Sequence, residues 1–249
     1  VTSDLPALRV ALAVEGATDY AILETLIARL IDWRATTFSY LQPESSAAFE
    51  LGGYAQGGWS FLYRWCRATA ELNGPNGLED NFLFLNHDVL VVQIDADVAR
   101  SNYRAGHIED PADDLPCAQP CPPVSDTTDA LRKVVLRWLN TPHSPPRLVF
   151  CVPAQCLETW LLAGLYPTDR NLQFPDLECR PCPQRQLANK PKPGRLINSN
   201  TKNRPVYQQR ARELADQWPC VTRHCVEALR FEQDLISTTR GPSTPPSPT

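Results

Sequence analysis

Two short acidic motifs carry most of the chemistry open to this sequence. The first is Glu15-Gly16-Ala17-Thr18-Asp19 and the second is Asp95-Ala96-Asp97; Glu158 is a further acidic position. Five carboxylates at one place repel each other, and a cation is the natural remedy. Hard oxygen ligands with open positions suit Mg2+ or Mn2+, commonly partnered by substrate phosphates. Such ions polarise a phosphoryl oxygen, activate water and stabilise a leaving oxygen. Each motif also has a plainer reading. Asp favours turns at solvated strand ends, and Asp19 in a first helical turn interacts with the macrodipole. The same holds for Glu158 near a helix start. The pairing of both motifs, each closing an apolar run, favours the chemical reading.

The elements around the motifs would put them on one edge. Leu8 to Val14 reads as a buried strand ending at Glu15-Gly16, with Thr18 as the cap of a helix through Trp33. Val89 to Ile94 is the strongest strand signal, apolar on both faces like a central parallel strand. It runs into Asp95 and Asp97, which share a face if the strand continues through them. Arg147 to Val152 reads as a third strand, followed by a helix from about Gln155 to Leu165 that holds Glu158. Helices are also expected over Gly58–Leu72, from Ser125 or Asp126 to Leu139, from Asn203 or Pro205 to Trp218, and over Thr222–Ile236. Residues 34–56 carry no clear pattern. The order predicts an α/β fold, a parallel sheet flanked by helices, whose sites form at the carboxyl ends of the strands. Residues 1–165 would form the core, with an acidic, Pro-rich insertion at 109–129. Residues 166–237 would add an irregular basic segment and C-terminal helices packed on that core, and 238–249 a disordered tail.

Composition bounds the partners. The 249 residues are 43% apolar and 21% charged, which excludes global disorder. Net charge is −4, from 24 Lys and Arg against 28 Asp and Glu, so nucleic acid would have to be met by a local patch or by metal ions. No run of 18 apolar residues predicts a membrane span, and no signal peptide is visible, so a cytoplasmic protein is expected. Nine cysteines, an odd number, read as reduced thiols. Cys117, Cys121, Cys179 and Cys182 could together bind Zn2+ and tie two irregular insertions; scattered thiols are the competing reading. Cys66, Cys151 and Cys156 sit in apolar contexts and read as core.

Glu15 to Asp19 after a hydrophobic strand resembles the first motif of the TOPRIM (topoisomerase–primase) fold, and Asp95-Ala96-Asp97 after Val89 to Ile94 resembles its second. The similarity is closest to small stand-alone TOPRIM-like proteins of bacterial defence islands and to the TOPRIM domain of overcoming-lysogenization-defect nucleases. Pro153 to Ala163, with Glu158-Thr159-Trp160-Leu161-Leu162-Ala163, is similar to a stretch of the stand-alone members. These matches span about 10–165. The resemblance implies a TOPRIM-like, Rossmann-type sheet and a Mg2+-dependent nuclease, an effector in antiphage defence or a toxin-like system. Glu15 would be a metal ligand or general acid/base, Asp95 and Asp97 metal ligands, and Asp19 and Glu158 ligands of a second ion. No nucleophilic Tyr domain and no ATPase motif can be identified, and the 109–129 insertion departs from the pattern.

From Arg180 to Arg212 there are basic residues and no acidic ones. Arg185, Lys190, Lys192, Arg195, Lys202 and Arg204 are candidates to track a phosphate backbone, with Tyr207 available for stacking. A lysine here could also stabilise a phosphoryl transition state, and the resemblance to TOPRIM nucleases makes Lys190 or Lys192 the candidates. Docking of this segment on the acidic loop is the plainer alternative. Two other functions compete with the nuclease: a non-catalytic TOPRIM-like subunit that binds an ATPase partner, and a haloacid-dehalogenase-like phosphatase. The phosphatase would place Asp-x-Asp on its first strand and leaves Glu15 and Asp19 unexplained. Homo-oligomer assembly stays open.

Overall fold

The computed structural model describes residues 6–42, 57–109, 112–169, 176–191, 195–198, 201–202 and 204–240. Four parallel strands form the main sheet: β1 (Leu8–Ala13), β2 (Thr36–Gln42), β3 (Val89–Gln93) and β4 (Leu148–Cys151), in the order β2-β1-β3-β4. The α/β class and the parallel sheet expected from sequence are thus present, in a Rossmann-like arrangement. β2 is the strand that periodicity did not reveal. It is an edge strand, half exposed, with Thr, Ser and Gln among its residues.

Helix α1 (Ala17–Leu30) returns the chain from β1 to β2. The chain then passes through α2 (Trp59–Ala70) and the one-turn α3 (Leu83–Asn86) to β3 on the opposite side of β1. The connection from β1 therefore runs to one side, to β2, and the connection from β3 to the other, to β4. The gap between the ends of β1 and β3 is the switch point where open parallel sheets form their sites.

Both sheet faces are covered, which explains the almost continuous burial along β1, β3 and β4. Val10, Leu12, Val91 and Val149 pack on one side with α1 and with α5 (Leu157–Leu165). After α5 the chain forms the short α6 (Pro183–Ala188) and a two-stranded ribbon, β5 (Ile197–Asn198) with β6 (Thr201–Lys202). It ends in α7 (Arg204–Asp216), α8 (Trp218–His224) and α9 (Val226–Arg240). Tyr207, Leu214, Trp218, Val221 and Phe231 from these helices join the same apolar core as β1. Ala11, Ala13, Leu90, Val92 and Phe150 point the other way, against α2 and α4 (Ser125–Trp138).

Several boundaries differ from expectation. Gly16, not Thr18, is the residue before α1, in extended conformation, and no side chain caps that helix. The single helix expected over 222–236 is two, α8 and α9, broken at Cys225, and α9 runs on to Arg240. Most of the expected tail, 241–249, lies outside the described residues. A Cys121–Cys179 disulfide joins the two Pro-rich segments. This corrects the expectation of reduced thiols at those two positions. Cys117 and Cys182 are free, so the four sulfurs form no Zn2+ site here; the segments are tied, but covalently.

The start of α9 is held by Glu178, whose carboxylate accepts from the N–H groups of Val226 (2.7 Å) and Glu227 (3.2 Å). These are the free donors of a helix N-terminus. Glu227 is itself buried and paired with Arg132 of α4, which fastens α9 across β4. Burial outweighs the two hydrogen bonds and pushes the Glu178 carboxyl up to about 7. The unfolded chain therefore releases this proton first as pH rises, and stability declines from the ordinary carboxylate range to about pH 7, by up to roughly 3 kcal/mol. Glu178→Gln keeps one acceptor oxygen for these N–H groups and cannot ionise. In urea unfolding at about pH 5 and about pH 7.5 it should lose less stability on going up in pH than the parent. Equal losses in the two proteins would contradict this assignment.

Candidate active site

β1 and β3 are neighbours in register, with Ala13 opposite Val92. Each turns out of the sheet within two residues, so Glu15 and Asp95 emerge side by side. The Asp95 N–H donates to Glu15 Oε1 at 2.7 Å. Gln93, wholly buried at the end of β3, completes the link: its Oε1 accepts from Glu15 N–H (3.0 Å) and its Nε2 donates to Asp95 Oδ1 (2.9 Å). Sequence reading passed over Gln93 as part of an apolar strand. The signal was its amide, the one polar group in Val89 to Ile94, which cannot stay buried unpaired without cost.

Asp19 stands in the first turn of α1 and folds back over Gly16. A Cβ at Gly16 would sit 3.2 Å from Asp19 Oδ2, so this close approach favours glycine. Glu158 is the second residue of α5 and is wholly buried. Lys202 Nζ approaches Glu158 Oε1 at 2.8 Å, and the Tyr207 hydroxyl donates to the same oxygen at 2.8 Å. Asp95 Oδ1 also accepts from Leu157 N–H at 3.3 Å, tying the end of β3 to the start of α5.

Asp97 arrives differently from expectation. The strand stops at Gln93, and Ala96–Arg100 is a 3-10 turn, so the strand alternation assumed for Asp95 and Asp97 does not apply. Asp97 is exposed, its N–H donating to Gln155 O at 2.9 Å. It still adds to the negative field on Glu15.

Crowding and burial disfavour charge at this edge. Burial, then the charges of Asp19 and Asp97, push the Glu15 carboxyl up to about 8, against the opposing hydrogen bond from Asp95. Burial raises Asp19 to about 6, with Lys202 opposing and Glu158 reinforcing. Asp95 is raised well above the carboxylate range by burial and then by Glu15 and Asp19. Glu158 goes the other way. Burial would raise it, but the Lys202 charge and the hydrogen bonds hold it low. Lys202 is correspondingly held protonated: burial opposes its charge, and Asp19, Glu158 and Asp95 outweigh it.

The basic segment is only partly at this edge. Lys202 reaches it, whereas Lys190 pairs with Asp169 and lies over the Tyr166 ring, 4.3 Å from its centre. Arg195 donates to Lys190 O, and Arg185 is exposed on α6. Lys192 and the Arg204 side chain lie outside the described residues. Tyr207 is buried under Glu158 and is not available for base stacking, contrary to expectation. Cys156, expected to be plain core, is buried at the site itself. Its sulfur and one carboxylate oxygen each of Asp95 and Glu158 all lie within 4.8 Å of one another.

These side chains fit a divalent cation. Asp19 Oδ1 and Glu158 Oε2 are buried carboxylate oxygens without a hydrogen-bond partner. Acceptors left this way cost energy unless an ion or donor meets them. No family model, curated protein or solved structure matches the chain. Among the described residues, no helix is long and apolar enough to cross a membrane.

Asp95→Asn removes one charge from the crowd while keeping an oxygen for Gln93 and Leu157. Without added metal it should melt no lower than the parent. Mn2+ should raise the melting temperature of the parent by a few degrees and leave Asp95→Asn nearly unmoved. An equal Mn2+ shift in both would remove Asp95 from the ligand set.

Proposed function

We propose that the chain is a TOPRIM-type, divalent-metal-dependent nuclease that hydrolyses phosphodiester bonds. The observation that carries this reading is the convergence of Glu15, Asp19, Asp95 and Glu158 around the single ammonium of Lys202, at the switch point of a parallel sheet. Glu15, Asp95 and Asp97 would hold Mg2+ or Mn2+, with Asp19 and Glu158 lining a second position. A bound divalent cation would supply polarisation of a phosphoryl oxygen and a more acidic water.

The chain's own groups have separable duties. Where Glu15 acts as general acid/base instead of as a ligand, its carboxyl, pushed up to about 8 by burial in the metal-free chain, suits a residue that takes a proton from a nucleophile and returns it. Its Oε1 is fixed by the Asp95 N–H, so its position does not depend on its charge state. Gln93 ties the Glu15 backbone N–H to the Asp95 carboxylate through one amide. Lys202 is partly exposed and stays protonated, so its positive charge can meet a phosphate at the mouth of the site. This assigns to Lys202 the role that sequence reading gave to Lys190 or Lys192. Arg185, Arg195 and the rest of the basic segment would then contact backbone phosphates farther out.

The reading is tested with purified protein, Mg2+ or Mn2+, and single- and double-stranded DNA and RNA. Metal-dependent cleavage of at least one substrate is expected. Lys202→Gln should slow it at least ~100-fold, the scale of losing one transition-state charge donor. Lys190→Gln should change it by less than about threefold at low salt. No cleavage with either metal, or full activity in Lys202→Gln, would overturn the reading.

A further inference from the structure

The ligand set at this edge is not purely oxygen. Cys156 is the residue before α5, fully buried, and its sulfur groups with the carboxylates of Asp95 and Glu158 within 4.8 Å. The group draws on the end of β3 and the start of α5, which Leu157 N–H ties together through Asp95 Oδ1. Gln184 of α6 aims its Nε2 at the Cys156 sulfur, 2.9 Å away. The sulfur accepts from Gln184 while its S–H is hydrogen-bonded to the Glu158 carboxylate, so a metal bound here would take the place of that proton and keep Gln184 as an outer donor. Independently, Glu158 Oε2 is buried and without a partner, while Oε1 is shared by Lys202 and Tyr207. Oε1 is satisfied by Lys202 and Tyr207, whereas Oε2 meets no N–H or O–H donor, and the remaining neighbour of the carboxylate is the Cys156 thiol. The charge balance leaves room for a dication, with Glu15, Asp19, Asp95, Asp97 and Glu158 set against Lys202 and Arg100.

We propose that Asp95, Cys156 and Glu158 form a mixed oxygen–sulfur site that takes Zn2+ in preference to Mg2+. The inference refines the metal position of the nuclease reading and rests on that reading for its catalytic meaning only. Thiolate sulfur suits Zn2+ and disfavours Mg2+, whereas carboxylates accept both. Binding converts the Cys156 thiol to a thiolate; the S–H proton is released to solvent as the metal–sulfur bond forms. Zn2+ takes two carboxylate oxygens and one sulfur readily, and a fourth position remains for water or a substrate oxygen.

The probe is Co2+, which replaces Zn2+ and reports sulfur ligation by a thiolate-to-cobalt charge-transfer band in the near ultraviolet. The full chain is titrated with Co2+, with Mn2+ binding and nucleic-acid cleavage followed in parallel. The parent should show the band, and excess Zn2+, but not excess Mg2+, should abolish it. Cys156→Ser, close in shape to the parent, should lose the band, and Glu158→Gln should weaken Co2+ binding roughly 10–100-fold or more without touching the sulfur. A band that persists in Cys156→Ser would assign it to another cysteine and overturn the proposal. No band in a parent that still binds Mn2+ and cleaves would overturn it and leave the nuclease reading intact. A band lost in Cys156→Ser, in a protein that cleaves nothing with any metal, would uphold the site and sink the nuclease.

Discussion

The mutual repulsion of the carboxylates between β1 and β3 is the constraint around which the molecule is arranged. Four of them, Glu15, Asp19, Asp95 and Glu158, come from four different segments, and each is held by something other than solvent. Glu15 takes a backbone N–H of Asp95, and Asp95 takes the Gln93 amide and the Leu157 N–H. Glu158 takes Lys202 and Tyr207. Only the rigid sheet and the packed start of α5 can keep like charges this close. The residue whose ammonium offsets them arrives from a small ribbon at the far end of the chain, and Tyr207 arrives from the helix after it. The C-terminal third is therefore part of the site and shares one core with the strands that position it.

That arrangement explains why the carboxyl groups divide into two kinds. Glu15, Asp19 and Asp95 are raised because burial and neighbours penalise a further charge, while Glu158 is kept ionised by the Lys202 ammonium. Pairs of acids pushed in opposite directions suit acid–base chemistry near neutral pH. Removing Lys202 would leave Glu158 as an uncompensated buried charge, whereas Lys202 without Glu158 would still face Asp19, Asp95 and solvent. Position and charge are thus set by the same contacts.

Much of the frame was legible in the chain. Val89 to Ile94 and Leu8 to Val14 read as central strands because both faces are apolar, and both acidic motifs fall at their ends. β2 did not declare itself, since an edge strand with one wet face lacks a continuous apolar run. The strand alternation invoked for Asp95 and Asp97 was the wrong local geometry: the backbone leaves the sheet one residue before Ile94. Residue type marked Lys190 and Lys202 equally, and only tertiary contacts separate them, one bound to Asp169 and the other to Glu158. Tyr207 was misjudged for the same reason, and Cys156, buried as expected, stands beside an Asp95 carboxylate that its local sequence does not announce. An aromatic ring or a thiol in a local sequence says nothing about the carboxylate it meets from 49 residues away or across a sheet edge. Gln93 could have been noticed, because a buried amide inside a strand must find partners, and its partners are the site.

The central claim is that this edge holds a divalent cation between the ends of β1 and β3. Crystals of the full chain soaked in Mn2+, with anomalous diffraction measured at the manganese edge, test it most directly. The account predicts an anomalous peak bounded by the Glu15 and Asp95 carboxylates, at about 2.0–2.6 Å from their oxygens, as hard-cation coordination requires. A well-ordered, Mn2+-soaked protein with no peak there, and Glu15 and Asp95 still joined as described, would contradict it.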